Sequence, residues 1–404
     1  MPHTPSSIDH FHNAPLHLHI ISFQVPYPPS YGGVIDVYFK LKALKEIGCH
    51  ITLHTYRYRL PEAPELNEVA DEVYYYERYT GVASQCACKP YIVYSRRNQL
   101  LLERLCNDTD PILLEGLHNC YFLNHPSLAH RIRVVRAHNV EHHYYMKLGK
   151  AAFPRPQSFY FFLEAAKLKR FEPVLHHADA LLAITEEEQA YFEQHYPDIP
   201  SHIIPCFFDE GAMQTADHQP VVATKPYMLY HGNLSVAENI HAALYLLKEV
   251  LPLLPPERQT LVIAGKDPAS ELVRQASKNS RVTLLPNPTD PEMDRLIQEA
   301  RIHVLPTFQN TGFKLKLIHA LTKGYGHCVA NTPMLSDPAL KRVCQVADSP
   351  QEWAEAIDRC ADTQPTPSER AERLDFLHRA YNNKRNAEKI VSIVKQLQAN
   401  QSKE

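Results

Sequence analysis

Two lysines, Lys314 and Lys316, follow a glycine closely in the run Thr311-Gly312-Phe313-Lys314-Leu315-Lys316. A short apolar stretch at 302–305 and a loop at 306–311 precede the run, and an amphipathic stretch closed by Gly324 follows it. This pattern predicts a strand, a loop and a helix over 312–323. Free N–H groups in the first turn of a helix favour an anion, and a glycine there lets a phosphate approach the backbone. Two ammonium groups beside it match the roughly two negative charges of a nucleoside diphosphate. An ordinary helix start with solvated lysines fits the same six residues. Context favours the anion: His231-Gly232-Asn233 and Gly265-Lys266-Asp267 also follow predicted strands in this half, so three loops can converge on one ligand. Lys266 reads equally well as a phosphate contact or a solvated lysine.

The rest of the chain must supply the elements that hold these loops. Its 404 residues favour two domains, and a composition 44% hydrophobic and 22% charged is that of globular protein. The net charge of −3 is spread without long runs of one sign, so nothing points to nucleic acid as a partner. The 24 histidines are scattered and lack the paired spacing of a zinc site. Nine cysteines, an odd number, are dispersed except for Cys86 and Cys88, and no signal peptide precedes them, which places the protein in a reducing cytoplasm. No apolar stretch reaches the roughly 20 residues needed to span a bilayer, so any membrane contact is expected to be peripheral.

Between 16 and 204, short apolar runs alternate with longer amphipathic ones, as in strand and helix units around a parallel sheet. Strands are predicted at 17–23, 51–56, 112–115, 133–137 and 180–184, with a helix at 34–47 ended by Gly48 and another capped by Thr185. A second series has strands at 227–231, 260–264, 282–285, 302–305 and 327–330, with helices near 238–250, 270–278, 290–300 and 312–323. Polar, aperiodic residues 209–225 read as the linker. The fold class is therefore α/β, with two Rossmann-like domains, 1–210 and 211–375, facing each other across a cleft. A charged helix over 367–395 follows, so 376–404 is expected to cross back to the first domain and end in a frayed tail from 396.

In this setting the chain resembles the GT-B glycosyltransferases, specifically the large retaining family 4. The resemblance rests on Pro26-Tyr27-Pro28-Pro29 with Gly32-Gly33, His138-Asn139-Val140-Glu141, Ile204-Pro205, His231-Gly232-Asn233, Val262-Ile263-Ala264-Gly265 and the run 311–316 with Ala320. Each segment is weak alone, and their order and spacing carry the comparison. It implies transfer of a hexose from a UDP- or GDP-linked sugar, with retention, to a glycan or lipid-linked acceptor. It also implies a donor site made by Gly32, Gly33, Gly232, Asn233, Lys266, Thr311, Gly312, Phe313, Lys314, Leu315, Lys316 and His319. No cofactor and no metal are implied, because a helix terminus and lysines can stabilise the departing diphosphate and no Asp-x-Asp pattern of metal-dependent transferases is expected in the chain.

Two departures stand out. Thr311 and His319 occupy positions where the family has glutamates, and the loop from His231 to Asn239 lacks the family's phosphate-gripping cations. A histidine can hydrogen-bond a ribose but cannot offer the two acceptor oxygens that vicinal hydroxyls prefer. By the same resemblance, His118 touches the sugar or assists the acceptor hydroxyl, and His138, Asn139 and Glu141 bind acceptor hydroxyls or brace His118. A structural histidine, and a scaffold pair of Arg136 with Glu141, fit as well. Glu172 and Asp179 read as structural contacts. Two aromatic stretches, Val73-Tyr74-Tyr75-Tyr76-Glu77-Arg78-Tyr79 and Phe159-Tyr160-Phe161-Phe162 with Lys167, Lys169 and Arg170, fit core packing, sugar stacking or rest on an anionic membrane. A sugar-nucleotide 2-epimerase and a degenerate nucleotide-binding member are the competing readings.

Overall fold

The computed structural model describes residues 15–29, 32–58, 60–211, 226–256, 260–309, 314–335 and 337–403. The chain divides into two compact units, Met1–Phe208 with Asn383–Glu404, and Asp209–Asn382. The first carries a seven-stranded parallel sheet of β1 (His17–Ser22), β2 (His50–Arg57), β3 (Glu72–Glu77), β4 (Ile112–Glu115), β5 (Arg133–Arg136), β6 (Ala180–Ala183) and β7 (Ser201–Ile203), ordered β3-β2-β1-β4-β5-β6-β7. Its helices include α1 (Gly32–Glu46), α2 (Gln99–Leu105), α3 (Glu141–Ala152), α4 (Gln157–Phe171) and α5 (Glu186–His195). Strand β6 is a short apolar run, and β4 is one up to Glu115; both are buried along their whole length, as parallel strands covered on both faces must be. Thr185 caps α5 reciprocally with Glu188, as its position before three glutamates predicts.

The second unit repeats the plan with six strands: β8 (Tyr227–Asn233), β9 (Thr260–Lys266), β10 (Val282–Pro286), β11 (Ile302–Leu305), β12 (His327–Ala330) and β13 (Gln345–Val346), ordered β10-β9-β8-β11-β12-β13. Its helices are α6 (Ala237–Tyr245), α7 (Ser270–Ala276), α8 (Asp290–Glu299), α9 (Leu315–Lys323), α10 (Pro350–Ala361) and α11 (Pro367–Ala380). In both sheets the order reverses beside the first strand, between β1 and β4 and between β8 and β11. Such a reversal leaves a crevice at the carboxyl ends of the strands, because the connections depart to opposite sides.

Three departures from the sequence reading concern boundaries. Helix α1 opens at Gly32 rather than 34, so both glycines form its first turn. Helix α9 begins at Leu315, while Thr311, Gly312 and Phe313 lie outside the described residues, as does most of the 209–225 linker. The expected single C-terminal helix is two: α11 ends at Tyr381, whose backbone leaves the helical region, and α12 (Asn383–Gln401) starts two residues on. The tail at 396–401 is helical, not frayed. Tyr381 donates to Asp337 within the second unit, at 3.1 Å. Asn383 brackets the Phe208 backbone in the first, accepting from its N–H at 3.3 Å and donating to its carbonyl at 2.7 Å. Helix α12 then packs on α1, burying Ala387, Ile390 and Val394 in the core of the first unit.

Candidate functional site

In the second unit, the loops after β8, β9 and β11 meet at one sheet edge because these three strands are neighbours, with β8 in the middle. The β8–β9 register pairs Gly232 with Gly265 and Asn233 with Lys266. A Cβ at Gly265 would lie 1.7 Å from the Gly232 carbonyl oxygen, so this close approach admits only glycine. Asn239, in the first turns of α6, donates to the Asn233 carbonyl at 2.9 Å, while its Oδ1 accepts from Lys316 Nζ at 2.6 Å. Lys316 also lies 5.2 Å from the centre of the Tyr230 ring. Glu238 ties two loops together, accepting from Thr307 Oγ1 and from the Phe308 N–H, both at 2.6 Å. Asn331, at the end of β12, brackets Thr307 in turn, accepting from its N–H at 3.0 Å and donating to its carbonyl at 2.6 Å.

The electrostatics of this edge follow from burial. Burial, with Lys314 nearby, pulls the Lys316 amine down to about 8, so it is still mainly charged at neutral pH and gains from an anion. Burial and Lys323 pull His319 down to about 4, leaving a neutral imidazole that can only exchange hydrogen bonds. Burial, with His303 and Lys316, holds His231 well below the usual range, and its Nε2 has no partner among the described residues. Lys314 Nζ donates to the Gln309 carbonyl at 2.8 Å. Lys266 is exposed on the rim. The structure thus groups Gly232, Asn233, Lys266, Lys314, Leu315, Lys316 and His319 on neighbouring elements. Leu315 faces inward as packing.

Sequence reasoning missed Tyr230, Glu238, Asn239, Thr307 and Phe308. Phe308 carried the readable signal, being a large apolar residue in a loop; it is 44% exposed, with His241 4.4 Å and Tyr245 5.1 Å from its ring.

The first unit gathers its candidates at the other switch point. His118 follows β4 through Gly116, whose φ of +75° is a conformation that suits glycine. The rings of His118 and His138 both lie 5.6 Å from Phe23, which ends the chain's path out of β1. Gly33 packs on the same ring, since a Cβ there would come within 2.8 Å of it. Glu141 Oε1 is 3.8 Å from His118 Nδ1, beyond hydrogen-bond range, and that nitrogen has no partner among the described residues. Burial raises the Glu141 carboxyl to about 8, so it is a neutral acid at pH 7. Burial and Arg96 hold His118 well below its ordinary value.

His138 lies against buried charges. Its Nε2 is 2.9 Å from Glu115 Oε2 and its Nδ1 4.0 Å from Asp36 Oδ2, so both ring nitrogens face a buried network. Lys40 Nζ donates to both Glu115 oxygens, at 2.7 and 2.8 Å, and to Asp36 at 3.0 Å. Arg136 clasps Asp36 with two bonds of 2.9 Å, which replaces the anticipated pair of Arg136 with Glu141. Burial opposes ionisation of Asp36, but Arg136 and Lys40 overcome it and hold the carboxyl well below the usual range. Two acids and two cations balance, so these charges are a girder joining α1, β4 and β5. Glu172 and Asp179 are structural: Glu172 accepts from Tyr191 at 2.5 Å and from Tyr196 at 3.1 Å and pairs with His142 at 2.8 Å, and Asp179 accepts from the Arg133 N–H at 2.7 Å.

The expectation that the sequence holds no Asp-x-Asp pattern is wrong, since Asp108-Thr109-Asp110 is one. It precedes β4 and therefore sits at the amino-terminal edge of the sheet, away from the switch point. Asp108 pairs there with Arg131 at 2.8 Å and with His19 at 3.1 Å.

Two Rossmann-like domains in one chain, each with a loop cluster at its switch point and a last helix returning to the first, define the GT-B fold. A trehalose-6-phosphate structure from E. coli bound with UDP-2-fluoro glucose shares it, with a TM-score of 0.62, 12% identity, and coverage of 94% of this chain and 99% of the other. So does sucrose-phosphate synthase from Thermosynechococcus elongatus, with a TM-score of 0.65, 15% identity, and coverage of 95% and 99%. In sequence, the chain is 26% identical over 320 residues to an uncharacterized 44.6 kDa protein in the cps region of Klebsiella pneumoniae, covering 75% of this chain and 79% of that one. No protein-family model matches.

Proposed function

We propose that this chain is a glycosyltransferase that moves a hexose from a UDP- or GDP-linked sugar to an acceptor hydroxyl with retention. The observation that carries the reading is Lys316, a half-buried ammonium held by Asn239 at the carboxyl edge of β8 and β11, where a doubly wound sheet binds ligands. With Lys314 it supplies the charge missing from the His231–Asn239 loop. The donor's C1–O bond breaks with its electron pair going to the diphosphate, and these two cations stabilise the oxygen that departs. The exposed Phe308 ring is suited to stack on the base, and His319 offers a neutral contact to the ribose.

In the first unit, His118 and Glu141 flank the acceptor side. A neutral imidazole can take a hydrogen bond from the acceptor hydroxyl, and a protonated carboxyl can donate one to a sugar oxygen. His138 positions this edge through the buried network. The chemistry as proposed runs on the lysines and needs no metal. Surface polysaccharide or glycoconjugate synthesis is the proposed setting, and the cps-region relative supports it. Among the described residues no helix is long and apolar enough to cross a membrane, and all nine cysteines are free thiols. A cytoplasmic enzyme resting on the membrane's inner face to meet a glycan or lipid-linked acceptor agrees with both.

The test is nucleoside-diphosphate release from UDP- and GDP-hexoses over an acceptor panel, beside calorimetric UDP and GDP binding. Losing one charge-assisted contact is worth about 1.5–3 kcal/mol, so Lys316→Ala should weaken the binding nucleotide roughly 10- to 100-fold. Lys314→Ala should raise the donor KM in a protein that stays folded. Unchanged affinity in both variants would remove the lysines from the site, and tight binding without acceptor-dependent release would favour the degenerate reading.

A further inference from the structure

Arg78 directly follows β3, at the carboxyl edge of the first sheet. Its guanidinium lies over the Tyr58 ring, 4.4 Å from the centroid, with Tyr91 at 5.6 Å. Tyr145 of α3 and Tyr160 of α4 lie within electrostatic range of it. Two of its five N–H groups point at Ser95 Oγ, Nη2 at 2.9 Å and Nε at 3.3 Å. No carboxylate of the described residues pairs with it. The nearby candidates are committed elsewhere: Glu77 pairs with Arg57, and Glu164 accepts from Lys167 at 2.9 Å and from the Tyr91 N–H at 2.7 Å.

Of the other half-buried or buried arginines of this unit, Arg97 and Arg104 likewise lie over tyrosine rings, Arg97 also donating to Ser84 Oγ and the Tyr94 carbonyl, and others are answered more fully. Arg136 has Asp36, Arg131 has Asp108 and two backbone carbonyls, and Arg96 has the carbonyls of Phe23 and Ile92. Stacking on tyrosine faces stabilises a guanidinium but supplies no opposite charge, so the half-buried Arg78, boxed by Tyr58 and Tyr91, is complementary to an anion. A guanidinium fork matches a phosphate in a bidentate way, and phenol hydroxyls add donors around it. The box also borders the proposed transfer site. Arg96, next in sequence to Ser95, donates to the Phe23 carbonyl at 3.0 and 2.8 Å, and the Phe23 ring is 5.6 Å from His118.

We propose that Arg78, boxed by Tyr58 and Tyr91, binds a phosphate group on the acceptor. This rests on the transferase reading and narrows it: the acceptor is an anionic molecule whose phosphate docks on Arg78 while its hydroxyl lies toward His118. The phosphate belongs either to a soluble sugar phosphate or to a lipid headgroup.

Calorimetric titration of the full-length protein separates these sources. The probes are glucose 6-phosphate, with glucose as the neutral control, and phosphatidylcholine vesicles with and without phosphatidic acid. Expected is binding of at least one phosphate probe and not its neutral control, weakened tenfold or more in Arg78→Met, partly kept in Arg78→Lys, and kept in Lys316→Ala. Response to glucose 6-phosphate assigns the soluble source, and response to the vesicles alone assigns the lipid. UDP binding, measured on the same preparations, should be unchanged in both Arg78 variants, which also shows that they fold. Arg78→Met matching the wild type toward both probes, or no phosphate binding by a protein that binds UDP, overturns the subsite. Absence of both UDP and GDP binding by the wild type would instead sink the transferase reading.

Discussion

Lys316 is the residue on which chemistry and pH dependence meet. Its amine titrates near 8 in the free protein because burial and Lys314 disfavour the charge, and a bound diphosphate would favour it. Only the ammonium form binds the anion well. Affinity for UDP or GDP should therefore be flat below pH 8 and fall above it, approaching tenfold per unit. Lys316→Arg keeps its charge throughout and should remove the fall. Calorimetry from pH 6.5 to 9.5, about the range where ordinary side-chain amines stay charged, gives the comparison. Identical profiles for wild type and Lys316→Arg would show that the titrating group lies elsewhere.

At the scale of elements, α3 and α4 form a packed pair whose tip is unlike the rest of the surface. Phe153 and Phe159 are 72% and 74% exposed, with Leu163, Met146 and Tyr160 exposed beside them. Every acid from 141 to 172, namely Glu141, Glu164 and Glu172, is buried, while Lys150, Arg155, Lys169 and Arg170 face solvent. Exposed rings rimmed by cations suit the interface of an anionic bilayer. The chain should float with phosphatidylglycerol vesicles at low salt, and Phe153→Ser with Phe159→Ser should abolish this without altering UDP binding. Flotation equal in the double variant would place the contact on another surface. The sequence reading allowed core packing for these rings, and it holds for some: Phe162 packs on Gly149, where a Cβ would come within 2.6 Å of its ring. Strands β4, β11 and β12 were legible to the residue because each is a short, mostly apolar run bounded by polar loops. Strand β3 was not, since Tyr74, Tyr75 and Tyr76 read as a stacking surface, and the edge strands β7 and β13 are too short and half-buried to show periodicity. The donor lysines stood out by their order after a strand. The Asp36–Lys40–Glu115–Arg136 girder did not, because pattern reading sends charges outward, and only long-range pairing, Asp36 with Arg136, brings them inside.

At the scale of the whole molecule, the chain leaves its first unit at Phe208 and returns at Asn383, so the last 22 residues complete a core begun at the other end of the sequence. Ile390 is fully buried in that core, in contact range of a cluster that includes Val37 and Leu41 of α1. Truncating it leaves a cavity, and Ile390→Ala should cost the first unit about 2–5 kcal/mol. The lone tryptophan, Trp353, is 1% exposed in α10 of the second unit, so its fluorescence reports that unit directly, whereas far-UV circular dichroism reports helices of both. In a urea titration of Ile390→Ala, the dichroism should therefore gain an early phase while the tryptophan midpoint stays at its wild-type value. Large chains of two cores commonly depart from two-state behaviour in this way. A tryptophan midpoint that falls together with the dichroism would mean that the stability of the second unit depends on the first, and the returning helix would then be a support for both.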